Sequence, residues 1–398
     1  MAVGAQAEPA ALDADALIDD PRTRIIVCCG SGGVGKTTTA AALGLRAAER
    51  GRDAVVLTVD PARRLAQSMG LTELDNIPRP VPGADTAAGG TLHAMMLDMK
   101  RTFDEIVEAH ADPDRARQIF ANPFYKSLSS SFSGTQEYMA MEKLGQLRQS
   151  DEWDLIIVDT PPSRSALDFL DAPKRLGRFL DGRLIKILTA PAKAGGRAYL
   201  RLLGAGFGMF TGVVTKVLGA QVLKDMQTFV TAFDAVFGGF QERAEQTYRL
   251  LQTQGTAFVV VAAPERDALR EASYFVERLD RERMPLAGLV LNRVHRSALP
   301  ELSAARSLAA AETLAQGRTG SAAAEPAEGR GLTEAALRLH ADRMRTIARE
   351  RRLREHFTSA HPAIAVAEVP AQPEDVHDLA ALRRIGAALG GGSAEAGD

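Results

Sequence analysis

The residues best placed to do chemistry lie in the stretch CCGSGGVGKTTT, residues 28 to 39. Gly30, Gly35, Lys36 and Thr37 satisfy the pattern G-x-x-x-x-G-K-[ST], after an apolar run and before an alanine-rich helical pattern. In that setting the main-chain N–H groups of Gly30, Ser31, Gly32, Gly33, Val34, Gly35, Lys36, Thr37 and Thr38 can wrap a phosphate chain, helped by the helix N-terminus. Lys36 would meet the β- and γ-phosphates, and the Thr37 hydroxyl would hold Mg²⁺. The pattern therefore points to ATP with Mg²⁺.

Two acids end later apolar runs. LIIVDTPPS places Asp159 where a carboxylate associated with Mg²⁺, most simply through its water shell, belongs, although an Asp there could also cap the next turn. TVDPARR places Asp60 at the end of the second run. Ligands of open α/β sheets collect at the carboxyl ends of strands, so both acids are expected at the mouth that holds the phosphate loop.

The elements that must position these groups are legible as short apolar runs: 24–29, 54–59, 92–98, 155–159, 257–263, 286–292 and 363–369. Strands alternating with helical patterns predict an α/β P-loop NTPase with a mostly parallel twisted sheet flanked by helices. Helical periodicity around 100–150 and 165–250 predicts an inserted helical subdomain. A flexible tail is expected over 1–22, one ATPase domain over 23–390 with a flexible loop at 316–330, and a second tail over 391–398.

Composition sets outer bounds. The chain has 398 residues, 45% hydrophobic and 25% charged, with a formal net charge of −2, which gives no bulk pull toward nucleic acid. Its only cysteines, Cys28 and Cys29, are adjacent in an apolar run, suiting neither a disulfide nor a zinc site. No secretory leader pattern and no run of about 18 apolar residues occurs, so a cytoplasmic protein, at most peripheral at a membrane, is expected.

In order along the chain, GSGGVGKTTTAAALGLRAAERG, LTVDPARRLAQSMG, VDTPPSRSALDFLDAP, AAPERDALREASYFVERL and LNRVH resemble segments of the arsenical-pump-driving ATPases and of the ATPases that guide tail-anchored membrane proteins. The resemblance implies a nucleotide-gated dimer that hydrolyses ATP and couples it to membrane-associated transport or client handling. It implies that Asp60 positions the attacking water, that Asp159 reports the γ-phosphate, and that Glu265 lies near the nucleotide and the subunit interface. It implies also that Asn292 bonds the adenine edge and that the segment from Glu368, EVPAQPEDV, closes over the base. Glu265 and Asn292 could equally be loop-capping residues. The apolar stretch 198–223 is either a buried helix pair or a groove for a hydrophobic client.

Two departures from the family pattern bear on function. No cysteine follows Cys29, so the zinc that joins subunits in the targeting branch is not expected. Ser31 stands where family loops carry a lysine that crosses to the partner's phosphates. A basic residue such as Arg63, Arg64 or Arg164 could replace that charge; a lysine-bearing paralogue could supply it in a heterodimer, the reading favoured over a homodimer; or the site could bind ATP as a non-hydrolysing regulatory subunit. A partition or septum-positioning ATPase is a weaker alternative, disfavoured by the long insertion.

Overall fold

A computed structural model of the chain describes residues 10–60, 64–123, 125–126, 135–161, 240–320 and 327–391. Eight strands form one sheet: β1 (Ile25–Cys29), β2 (Ala54–Thr58), β3 (Arg79–Pro80), β4 (Leu92–Met96), β5 (Leu155–Asp159), β6 (Thr256–Ala262), β7 (Leu286–Val294) and β8 (Val366–Pro370). Their order is β3-β4-β2-β5-β1-β6-β7-β8, and every pairing is parallel except β3 with β4. All residues of β1, β2, β5 and β6 are buried, which explains why these runs are apolar throughout rather than alternating. The seven runs read from the sequence are seven of these strands. The eighth, β3, is a two-residue edge strand with no apolar signal of its own.

Register places the chemistry. Asp159 at the end of β5 lies opposite Cys28 of β1 and Thr58 of β2, so the phosphate loop and both candidate acids leave the sheet from neighbouring strand ends. Chain order reverses on the two sides of β1, which lies between β5 and β6, and this is the position at which open α/β sheets form a crevice.

The first helices are α1 (Ala14–Asp19), α2 (Lys36–Glu49), α3 (Arg64–Ser68), α4 (Met99–His110), α5 (Pro113–Ala121) and α6 (Thr135–Ser150). They are followed by α7 (Phe240–Leu251), α8 (Arg266–Arg281), α9 (Ala304–Gly320), α10 (Ala327–Ala360) and α11 (Leu379–Leu389). The Ala/Leu run of α2 has high helix propensity and buries Ala40, Ala41, Leu43 and Leu45. A methyl group on Gly44 would lie 2.5 Å from Val56 Cγ2, so this glycine lets α2 settle directly on β2. Helix α11, whose Asp378 cap accepts from Ala381 N, covers α2 from outside. Helices α4 to α7 contact one another in the region where the helical insertion is expected. Residues 162–239, including the stretch 198–223 and Arg164, and also Arg63, lie outside the described residues.

Two expected flexible segments are structured where described. Residues 10–22 are docked: Ala11 bridges Val366 of β8, Leu12 and Ile18 are buried, and Asp13 caps α1. Acids that read as a soluble tail instead pair with the outer face of α2, Asp15 with Arg46 and Asp19 with Arg50. The 316–330 segment continues α9 to Gly320 and starts α10 at Ala327, leaving only 321–326 undescribed between them. Among the described residues, no helix is long and apolar enough to cross a membrane.

Candidate functional site

The phosphate loop is fixed by two close approaches. Gly30 packs so tightly on β6 that a Cβ would sit 2.1 Å from Val261 O. Gly35, the cap of α2, has φ of +96° and leaves room for Asn292, whose Nδ2 would lie 2.1 Å from an added Cβ. Any side chain at Gly35 would meet both backbone strain and a clash.

Lys36 is buried at the start of α2, and its Nζ donates to Ser31 O at 2.8 Å. Burial lowers its pKa, while Asp159 and Asp60 nearby favour its charged form. The ammonium therefore lies over the loop that would hold the phosphates.

Behind it, Asp159 is fully buried, and its Oδ2 accepts from Thr37 Oγ1 at 2.7 Å and Thr58 Oγ1 at 2.8 Å. Its Oδ1 has no hydrogen-bond partner among the described residues. A buried carboxylate oxygen left in this state is costly unless a cation or water meets it, and Thr37 and Asp159 provide the hard oxygen donors that Mg²⁺ prefers. The residues therefore fit a Mg²⁺ held by the Thr37 hydroxyl, with Asp159 in contact directly or through water.

Burial pushes Asp159 up to about 6 despite the lowering effects of the two threonine hydroxyls and Lys36; Asp60 adds a smaller upward push. A carboxyl group whose folded pKa is raised favours the folded state fully below its unfolded value, near 4. That advantage is lost as pH rises through 6. Above pH 6, ionising it in the metal-free chain costs about 3 kcal/mol. Asp159→Asn is therefore expected to stabilise the metal-free protein at pH 8 by up to that amount, with the gain fading toward pH 4. Urea unfolding in chelator at pH 4, 6 and 8 measures this, and a gain that does not vary with pH would count against the assignment.

Asp60 follows β2, half-buried, its main-chain N–H donating to Thr58 Oγ1 at 3.2 Å. Thr58 thus links the two acids, a role missed from sequence although the residue stands two before Asp60 in LTVDPA. Gln136 of α6 donates to Val59 O at 2.8 Å, tying the helical region to the same strand end.

A cavity of about 1470 Å³ opens over these groups, lined by Lys36, Thr37, Asp60, Arg64, Asn292 and residues 370–377 among others. The phosphate loop, Asp60, Asn292 and the segment after Glu368 are therefore brought to one place. Asp159 lies buried beneath them. Asn292 also reaches beneath the loop, Nδ2 donating to Val34 O at 2.8 Å. Glu265 is not among the lining residues; it is exposed at the N-cap of α8 with no capping hydrogen bond from its side chain. Sequence reading overlooked Arg293 and His295 as lining residues, although both lie in the LNRVH segment. Arg293 sits at an irregularity between β7 and β8 with φ of +63°, which no composition signal announces.

Cys28 and Cys29 are fully buried and reduced, and burial raises both thiols, Cys29 to about 12. They act as core side chains.

A family model described as anion-transporting ATPase matches residues 23–316, which is most of the chain. The chain belongs to the anion-transporting ATPase family. It is thus an ATPase, and the mostly parallel sheet with its phosphate loop is the fold of that family. Among similar proteins, ATPase GET3 of Malassezia globosa is 26% identical over 278 residues, covering 70% of this chain and 75% of the relative. A putative arsenical pump-driving ATPase of Halobacterium salinarum is 28% identical over 197 residues, 46% of this chain and 29% of the relative. An ATPase ASNA1 homolog of Cryptosporidium parvum is 26% identical over 265 residues, 67% of this chain and 63% of the relative.

Proposed function

We propose that this member of the family is a Mg²⁺-dependent, dimeric switch ATPase that binds ATP in the cavity over β1, β2 and β5 and has weak unassisted turnover. The observation that carries this reading is the convergence of Lys36, Thr37 and Asp60 on one mouth above a buried Asp159 whose Oδ1 has no partner among the described residues. The loop N–H groups and Lys36 hold the phosphates, Asp60 orients the attacking water, and Thr58 holds Asp159 and the Asp60 main chain in register. Mg²⁺, when bound at Thr37 and Asp159, would neutralise charge on the β- and γ-phosphate oxygens.

The missing charge at Ser31 shapes the rest of the proposal. A partner subunit that keeps the lysine would complete the site, making a heterodimer with a paralogue the functional unit and membrane-associated transport or a hydrophobic client its task in the cytoplasm. A second reading has support in Arg64, an exposed cation that opens α3 and lines the same cavity as Asp60, so the charge could come from within the subunit.

Titration with a fluorescent ATP analogue tests the site. The wild-type chain is expected to bind it in Mg²⁺, and Lys36→Ala to bind it at least 10²-fold more weakly, since a buried cation facing phosphate is lost. Equal affinities would remove the phosphate loop from the account.

A further inference from the structure

Just beyond the end of β7, the cavity borders a polar pair that joins this part of the chain to the long helix α10. His295 lines the cavity, three residues beyond Asn292. Glu350 of α10 is buried, and its two carboxylate oxygens grip His295: Oε2 accepts from the main-chain N–H at 3.0 Å, and Oε1 lies 2.7 Å from ring Nδ1. The same helix holds the following segment through Arg343 Nε to Arg296 O and His340 Nε2 against Leu302 O. An ionised carboxylate can only accept, so Nδ1 carries the hydrogen in this pair. In the neutral ring, the atom left for a ligand is then Nε2, with a lone pair to offer. Asn292 matches this polarity: with Nδ2 committed to Val34 O, its remaining side-chain atom, Oδ1, is also an acceptor.

We infer that His295, oriented by Glu350, accepts a hydrogen bond from a donor at the nucleoside end of the bound nucleotide, either the exocyclic amine of adenine or a ribose hydroxyl. The inference rests on the proposal that this cavity holds ATP. His295 is the contacting residue and Glu350 a positioning residue, and the pair ties α10 to nucleotide recognition. The carboxylate lets the ring face its ligand in one tautomer, much as buried acids orient metal-bound histidines.

Equilibrium titration of the full chain in Mg²⁺ with ATP, ITP and 2′-deoxy-ATP tests it, with thermal unfolding run beside each variant. ITP lacks the amine and 2′-deoxy-ATP lacks one hydroxyl. His295→Ala is expected to weaken ATP about tenfold, the effect of one hydrogen bond. The analogue that lacks the donor in question should lose nothing further: unchanged ITP affinity assigns the amine, unchanged 2′-deoxy-ATP affinity the hydroxyl. His295→Gln, which keeps an acceptor oxygen, should recover part of the loss, and Glu350→Gln should narrow the same discrimination. Unchanged ATP affinity in His295→Ala, or equal losses for all three nucleotides, overturns the inference. Wild-type discrimination in Glu350→Gln overturns the positioning role. If the wild-type chain binds no nucleotide, the proposed site itself fails; if it binds and only His295→Ala is silent, this inference alone does.

Discussion

Ser31→Lys is expected to raise steady-state ATP turnover on the order of 10³-fold while changing ATP affinity only a few-fold. The two effects separate because they come from different atoms. Binding draws on the loop N–H groups, Lys36 and the helix N-terminus, all of which the chain keeps. The introduced ammonium would act on charge that develops as the γ-phosphoryl group transfers, where a preorganised cation has its largest effect. Because that lysine would serve the partner's site, the gain should grow with protein concentration across the dimerisation range. A mixture tests this directly: subunits carrying Ser31→Lys with Asp60→Asn should activate wild-type subunits that lack the lysine. Phosphate-release assays on each protein and on the mixture read the outcome. A gain independent of concentration would instead mean that the lysine acts within its own subunit.

Asp60→Asn carries the other large effect, a loss of turnover of about 10² to 10⁴-fold with ATP affinity retained. Asp60 lines the cavity, and its main chain is tied to Thr58, which also anchors Asp159. The carboxylate is therefore held at the mouth of the cavity, where it can orient water. The amide keeps the size and loses the acceptor pair that aligns both water protons. The effect is best measured in the Ser31→Lys background, where the starting rate is high enough to follow. Loss of binding rather than rate would reassign Asp60 to nucleotide capture.

Seven strands, the phosphate loop and both acids were legible in the sequence because each signal is local: an apolar run of strand length, a glycine spacing, an acid at the end of a run. What could not be read depends on register and on close approach. The Thr58 link to Asp159 appears only when β2 and β5 are aligned with those residues opposite each other. The grip of Asn292 on the loop needs Gly35 in a left-handed conformation, and its hydrogen bond to Val34 O spans 258 residues of chain. The acids of α1 resembled a soluble tail because the arginines that receive them lie on the outer face of α2, where sequence shows only a solvated stripe. His295 lies in the LNRVH segment without standing out there, since its partner Glu350 comes 55 residues later in the chain, on α10.

The central claim is that the site binds MgATP well and cleaves it slowly because Ser31 withholds a cation. One sample can answer it: equilibrium occupancy by radiolabelled ATP in Mg²⁺, followed by the rate at which the bound label becomes phosphate in a single turnover. The account predicts near-full occupancy at millimolar ATP with cleavage at least 10²-fold below the ordinary enzymatic rate of about 10 s⁻¹. Cleavage by the isolated wild-type chain at that ordinary rate, or a site left empty by millimolar MgATP, would contradict it.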